Sequence, residues 1–198
     1  MNKYSLELLK KQFPNIEFED DCFDLNEIND VFIWAACKGH LEVCKWLIQF
    51  NPSVHAYDGY VFRYAAKNGH LEVCKWLTQF NPDVQTVNFA FMYAASNGHL
   101  NILKWLMQFN PDVHAYDDFA FRWAAENGHL EVCNWLMQFS PNVHAENDYA
   151  FNYASYQGHL HLLKFLIELD EDLIKLLNEK QLEILMNYMN LQRKKSAR

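Results

Sequence analysis

Nine histidines and five cysteines give this sequence most of its capacity for chemistry. Imidazole and thiolate together make zinc sites, and a thiolate beside an imidazole makes a nucleophile. The spacing favours neither use. No HExxH, CxxC, G-x-S-x-G elbow or glycine-rich phosphate loop occurs in the sequence, so nothing sets ligands, or a nucleophile and its base, on one stretch of backbone. What the histidines show instead is regularity. His40, His70, His99, His129 and His159 each follow a glycine, His55, His114 and His144 form a second series, and His161 stands apart on a polar face. Cys44, Cys74 and Cys133 form a series of their own, with Cys22 and Cys37 outside it.

These series belong to copies of one segment. The Gly-His pairs at Gly39, Gly69, Gly98, Gly128 and Gly158 lie 30, 29, 30 and 30 residues apart, a period that marks a stacked array of units unable to bury their apolar faces alone. Each unit reads as two short helices. In the second copy the first helix runs through YVFRYAAKN and stops at Gly69, because the residue after a helix often takes a left-handed conformation. The second, HLEVCKWLTQF, stops at Asn81-Pro82, as its counterparts do at Asn51-Pro52 and Asn110-Pro111; Ser140-Pro141 weakens the signal and Asp170-Glu171 abandons it. Leu71, Val73, Cys74, Trp76, Leu77 and Phe80 fall on one buried stripe, with Glu72, Lys75 and Gln79 opposite. On the first helix Val61, Phe62, Ala65 and Ala66 turn inward, and the alanine pair recurs as Ala35-Ala36, Ala94-Ala95 and Ala124-Ala125, then Ala154-Ser155. Trp46, Trp76, Trp105 and Trp135 are expected to pack between copies. Stacked helices lie about 8–10 Å apart, too far for one column of histidines to share a metal or one column of cysteines to form disulfides. No metal and no cofactor is expected.

GHLEVCKWL with the alanine pair resembles the ankyrin repeat, and the resemblance runs over residues 29–169. It implies an all-α, ankyrin-like helical solenoid of five stacked helix-turn-helix repeats with N- and C-terminal capping helices. The 30-residue length and the Asn-Pro stop are also similar to repeats of amoeba-infecting giant viruses and intracellular bacteria, which would make a host protein a candidate partner. The chain departs from the family in three ways. Its repeats fall short of the usual length of about 33 residues, which predicts shortened fingers. The TPLH motif is missing, leaving Asn88, Asp118 and Asp148 as expected helix caps. The asparagine that asparaginyl hydroxylases modify in the family is replaced by His55, Gln85, His114 and His144.

Columns that differ between copies are free to serve something other than packing. They lie on the first helices: Tyr60, Arg63 and Lys67; Phe89, Met92 and Ser96; Phe119, Arg122 and Glu126; Tyr149, Asn152 and Tyr156. In the family this neighbourhood faces the concave side, and the resemblance implies that partners bind there. Two readings stand for Tyr60, Phe89, Phe119 and Tyr149: contacts for a partner, or plugs for the space left by a short finger. Arg63 and Arg122 are expected as contacts, because a guanidinium has little to gain in a dry core without a partner.

The rest of the sequence bounds the reading. With 51% hydrophobic residues the chain can bury a core, and a net charge of -8 argues against nucleic acid or anionic membrane as partner. Acid gathers at Glu17, Glu19, Asp20, Asp21, Asp24 and Glu27, while Arg193, Lys194, Lys195 and Arg198 form a basic tail over 193–198. The N-terminus lacks the apolar stretch of a signal peptide, no run reaches the roughly 18 apolar residues of a membrane span, and the odd cysteine count fits a reducing compartment, so a cytoplasmic location is expected, host cytosol included. Residues 1–28 read as an N-terminal cap with Ser5 starting its helix. Residues 170–192 read as C-terminal capping helices, LIKLL then NEKQLEILMNYMNLQ, with Asn178 and Gln181 as a capping box and Leu182, Leu185, Met186 and Met189 as the apolar stripe. The expected function is a non-catalytic, monomeric module binding a protein or peptide. The alternative is a self-associating assembly protein using the C-terminal helix or the aromatic surface.

Overall fold

The computed structural model describes residues 6–18, 27–54 and 56–196. The expectations placed on Ser5, Glu19, Asp20, Asp21, Cys22, Asp24, His55 and Arg198 lie outside the described residues. Every described element is helical: α1 (Leu6–Gln12), then the pairs α2 (Ile28–Cys37) and α3 (Leu41–Leu47), α4 (Ala56–Lys67) and α5 (Leu71–Leu77), α6 (Val84–Ser96) and α7 (Leu100–Leu106), α8 (Ala115–Glu126) and α9 (Leu130–Leu136), α10 (Ala145–Gln157) and α11 (Leu160–Leu169), and finally α12 (Glu179–Ser196). The chain gathers into two compact units, Met1–Ala94 with Asn101–Pro111 and Ala95–Leu100 with Asp112–Arg198, so the boundary runs through the third repeat.

Within the first unit α2 packs on α3 and α4, and α4 on α5; within the second α8 packs on α9 and α10, and α10 on α11. The alanine pairs explain how closely neighbours approach. Ala35, Ala36, Ala65, Ala66, Ala124, Ala125 and Ala154 are all fully buried beside Phe32, Phe121 and Phe151. Rings of successive copies meet above them: Phe32 on Trp76 at 6.2 Å and Phe62 on Trp105 at 6.4 Å.

The Gly-His pair is the joint between copies. Gly69 (φ 85°) ends α4 with its amide on the Ala66 carbonyl (3.2 Å) and the His70 amide on the Ala65 carbonyl (2.9 Å), a left-handed helix stop. The His70 ring then reaches back 33 residues, donating from Nε2 to the Cys37 carbonyl at 2.8 Å, one of the acceptors a helix end leaves unpaired. His159 does the same to the Glu126 carbonyl at 3.0 Å, and His129 to that of Ser96. The ring lies so close to the preceding glycine that a Cβ on Gly39 would stand 2.5 Å from His70 Nδ1, and one on Gly128 2.7 Å from His159 Nδ1. At Gly158, after which the sequence repeats no Gly-His pair, nothing among the described residues comes within 4 Å of such a Cβ.

The second helix of each of the first four copies tightens into a 3-10 turn before its stop, as at Ile48–Phe50 and Thr78–Phe80, whereas α11 runs on as α-helix to Leu169. The glutamine of each WLxQF segment folds back onto the tryptophan carbonyl, Gln49 to Trp46 at 2.9 Å and Gln79 to Trp76 at 2.8 Å. The tryptophan ring meets the phenylalanine edge-on. Asn51, Asn81 and Asn110 then turn left-handed (φ 58°, 51° and 49°), and Ser140 does so too (φ 55°) without an asparagine's tolerance of that region.

At the C-terminus the capping box forms as expected, the Asn178 amide on Gln181 Oε1 (3.0 Å) and the Gln181 amide on Asn178 Oδ1 (2.9 Å). Three details differ from expectation. The LIKL of LIKLL belongs to a 3-10 helix, Glu171–Leu176, with only Leu173 buried, and Leu177 is extended. Met186 is 45% exposed and leaves the inward stripe to Leu182, Leu185 and Met189. Arg193, Lys194 and Lys195 are in the last turn of α12, where cations suit the negative end of the helix dipole.

Gly128→Ala and Gly158→Ala both force alanine into the left-handed region, at about 1–2 kcal/mol. Only Gly128→Ala also displaces a histidine ring, so its loss in urea unfolding is expected to exceed that of Gly158→Ala by at least about 1 kcal/mol. Ser140→Asn is expected to raise stability by about 0.5 kcal/mol in the same measurement.

Candidate binding surface

The fingers set the first helices, and they do so differently in different copies. In the third copy Asp83 caps α6, its Oδ1 accepting the Thr86 amide at 2.6 Å. Asn88 therefore sits inside the helix and is not its cap. In the fourth and fifth copies the chain makes a left-handed turn first: Tyr116, Asp117 and Asp118 have φ of 54°, 54° and 55°, and Glu146, Asn147 and Asp148 have 53°, 57° and 59°. Gly59 holds the matching place in the second copy (φ 73°), where a Cβ would meet Thr86 Oγ1 at 2.4 Å. A run of three non-glycine residues there costs about 1–2 kcal/mol each and needs partners to persist.

Arg122 supplies them. Its Nε donates to the Asp117 carbonyl at 2.7 Å and its Nη2 to that of Tyr116 at 2.8 Å, while the guanidinium lies over the rings of Phe119 (5.9 Å) and Tyr149 (5.1 Å). The side chain is buried, so the partner expected for this guanidinium is the chain itself. In the fifth copy Asn152 Nδ2 takes the same place with one bond, to the Asn147 carbonyl at 2.9 Å. The aspartates predicted as caps are engaged elsewhere. Asp118 accepts His114 Nδ1 on one oxygen (2.6 Å) and the Asn142 amide on the other (2.9 Å), tying one finger to the next; Asp148 pairs with His144 Nδ1 at 2.6 Å.

His144 extends that tie to Asp170, the residue after α11. Its Nε2 stands 3.0 Å from Asp170 Oδ2, and the hydrogen bond it donates to Asp148, with the charges of both carboxylates, raises its pKa against a lowering by burial. Serving both oxygens requires both ring protons, hence the imidazolium.

Around the guanidiniums the first helices carry a rack of rings. In the first unit Tyr60 stacks on Tyr64 (3.8 Å, 13°), Phe89 on Tyr93 (6.3 Å, 25°), Arg63 lies over Tyr60 and Phe89, and Lys67 over Tyr64. In the second unit Phe119 stacks on Trp123 (4.5 Å, 17°) and Tyr149 on Tyr153 (4.2 Å, 23°), with the Tyr149 hydroxyl on Glu126 Oε2 at 2.7 Å. Burial, and then that carboxylate, pushes the Tyr149 phenol up. The structure thus joins Tyr60, Arg63, Lys67 and Phe89 in one unit and Phe119, Arg122, Glu126 and Tyr149 in the other. Met92 (2% exposed) and Ser96 (9%) face the interior and present almost no surface. Asn152 and Tyr156 are exposed, Tyr156 at 81%. Tyr64, Tyr93, Trp123 and Tyr153 were not singled out from sequence, because an aromatic residue before the alanines in every copy reads as packing. Trp34 in that column is 1% exposed and Tyr153 is 41% exposed, so one aromatic column is core in the first copy and surface in the fifth.

A family model of ankyrin repeats in three copies matches residues 62–147 and 91–175, and one of ankyrin repeats in many copies matches residues 32–78. No curated protein matches the chain.

Two outcomes test this geometry. Arg122→Met is expected to lower stability in urea unfolding by about 2–4 kcal/mol, against under about 1 for Asn152→Ala, since one removes two charge-assisted bonds made by a buried guanidinium and the other a single exposed one. For His144, a folded pKa raised above the ordinary 6.5 means that its clasp is complete below about pH 6.5 and weakens as pH rises through the raised value. Exchange of the Asp172 amide, which is bonded to Asp170 Oδ1, is expected to accelerate over that window beyond its intrinsic pH dependence, and His144→Asn to abolish the excess.

Proposed function

As the chain belongs to the ankyrin-repeat family, whose members are generally protein-protein interaction modules and typically non-catalytic, we propose that it binds a protein or peptide partner, as a monomer and without catalysis, through the exposed face of its first helices. The observation that carries this reading is the set of tyrosines on the second unit: Tyr116, Tyr153 and Tyr156 are 57%, 41% and 81% exposed. Tyrosine gives large contact area at little entropic cost, and aromatic and arginine residues dominate interface energetics. Stacking of Tyr153 on Tyr149, itself under the Arg122 guanidinium, fixes part of this surface before a partner arrives, which lowers the entropy lost on binding. In the first unit Tyr60, Arg63, Lys67 and Phe89 form a second patch of the same chemistry.

A reducing compartment, host cytosol included, fits this reading. Cys44, Cys74 and Cys133 are buried free thiols, and burial pushes Cys44 and Cys74 up to about 12, away from thiolate chemistry. No helix among the described residues is long and apolar enough to cross a membrane. A second reading, self-association through α12, draws on Ile184, Met186 and Leu191, which are 46%, 45% and 58% exposed. Sedimentation at a concentration-independent monomer mass would reject it.

Tyr153→Ser with Tyr156→Ser changes two exposed side chains, of which Tyr153 also gives up its stacking on Tyr149. Affinity capture with mass spectrometry is expected to recover specific protein partners with the native chain and to lose them with this variant, while its circular dichroism and cooperative thermal unfolding show that it still folds. Capture that survives the double substitution would place binding on another face.

A further inference from the structure

The outer face of the second unit carries a cleft of about 540 Å³ between α9, α11 and α12 that the inner-helix surface does not include. Comparing copies shows how it arises. In the first two copies the second helix carries a glutamate paired with a lysine three residues on, Glu42 with Lys45 and Glu72 with Lys75, each at 2.7 Å. The fourth copy keeps the glutamate but has Asn134 in the lysine's place, and Glu131 has no hydrogen bond or ion pair among the described residues. The fifth copy has Phe165 where the other four have tryptophan, a smaller ring beside the same space. α12 then brings Tyr188 across it, the ring meeting His161 edge-on at 5.0 Å, with Gln192 one turn further on.

The opening therefore combines an aromatic wall, two amide side chains and a carboxylate without a cation. Glu131 and Glu168 set two negative charges against the single ammonium of Lys164, which lies 3.4 Å from Glu168. We propose that this cleft seats an arginine side chain presented by a peptide partner, with its guanidinium on the Tyr188 ring and its N–H groups donating to Glu131 and to the amide oxygens of Asn134 and Gln192. Arginine fits better than lysine because its planar head can stack on a ring and bond a carboxylate with two parallel donors at once. The site uses none of the first-helix residues, so it stands or falls separately from the proposed binding face.

An NMR titration of the full chain with acetyl-Gly-Arg-Gly-amide tests it, with the citrulline peptide as a neutral control of the same shape. Saturable shifts are expected at the amides of Glu131, Asn134, Tyr188 and Gln192 with arginine and not with citrulline. Asn134→Lys, which restores the pairing of the first two copies on an exposed position, and Tyr188→Leu are each expected to weaken binding at least tenfold. Tyr153→Ser with Tyr156→Ser is expected to leave it unchanged. Equal shifts with both peptides, no saturable shift, or undiminished binding by Asn134→Lys overturns the proposal. Self-association that disappears in Arg193→Ala would assign the cleft to the α12 terminus of a second copy and likewise overturn it.

Discussion

Within each unit the structure depends on one contact: an imidazole laid on the glycine of the preceding copy, donating to a carbonyl at the end of that copy's first helix. Three demands meet in it. The helix must stop, so the backbone turns left-handed; its last acceptors must be bonded; and the next copy must approach to within van der Waals contact. Glycine meets the first and third, histidine the second, and burial helps by holding His129 below its ordinary pKa, in the neutral form that needs no counter-charge. With the joint fixed by two residues, the exposed columns of the first helices are free to differ.

Much of this was legible in the sequence because it is local. A glycine after a helix, an asparagine before a proline and a capping box over four residues each announce their geometry within one turn of chain. The left-handed turns at Tyr116–Asp118 and Glu146–Asp148 were not legible. Their residues carry no glycine, and what holds them is an arginine or asparagine on the following helix. For the same reason Arg122 was read as a contact for a partner: the premise that a guanidinium needs acceptors was sound, but the acceptors are carbonyls of its own finger. Asn88 and Asp118 hold equivalent places in sequence, yet one lies inside a helix and the other bridges two fingers, because Asp83 starts the helix earlier in the third copy.

The column before the alanines carries a related lesson. An aromatic residue in every copy suggests a common packing demand. The ring does pack, against its own helix, but burial depends on what lies beyond, and Tyr153 is left 41% exposed. A residue can thus be fixed in type by stacking within the array and still be available to an outside protein. This couples stability to recognition: the rings that would meet a partner are kept in place by the arginines that secure the turns.

The bare space beside Gly158 has a bearing on how such chains change in length. The last repeat keeps the glycine, and with it the vacant seat that a following imidazole would occupy. Duplication of about thirty residues ahead of the C-terminal helices would bring its own histidine to a berth already shaped for it. Copy number can then drift through evolution, or be set by an engineer, without any new joint having to be invented.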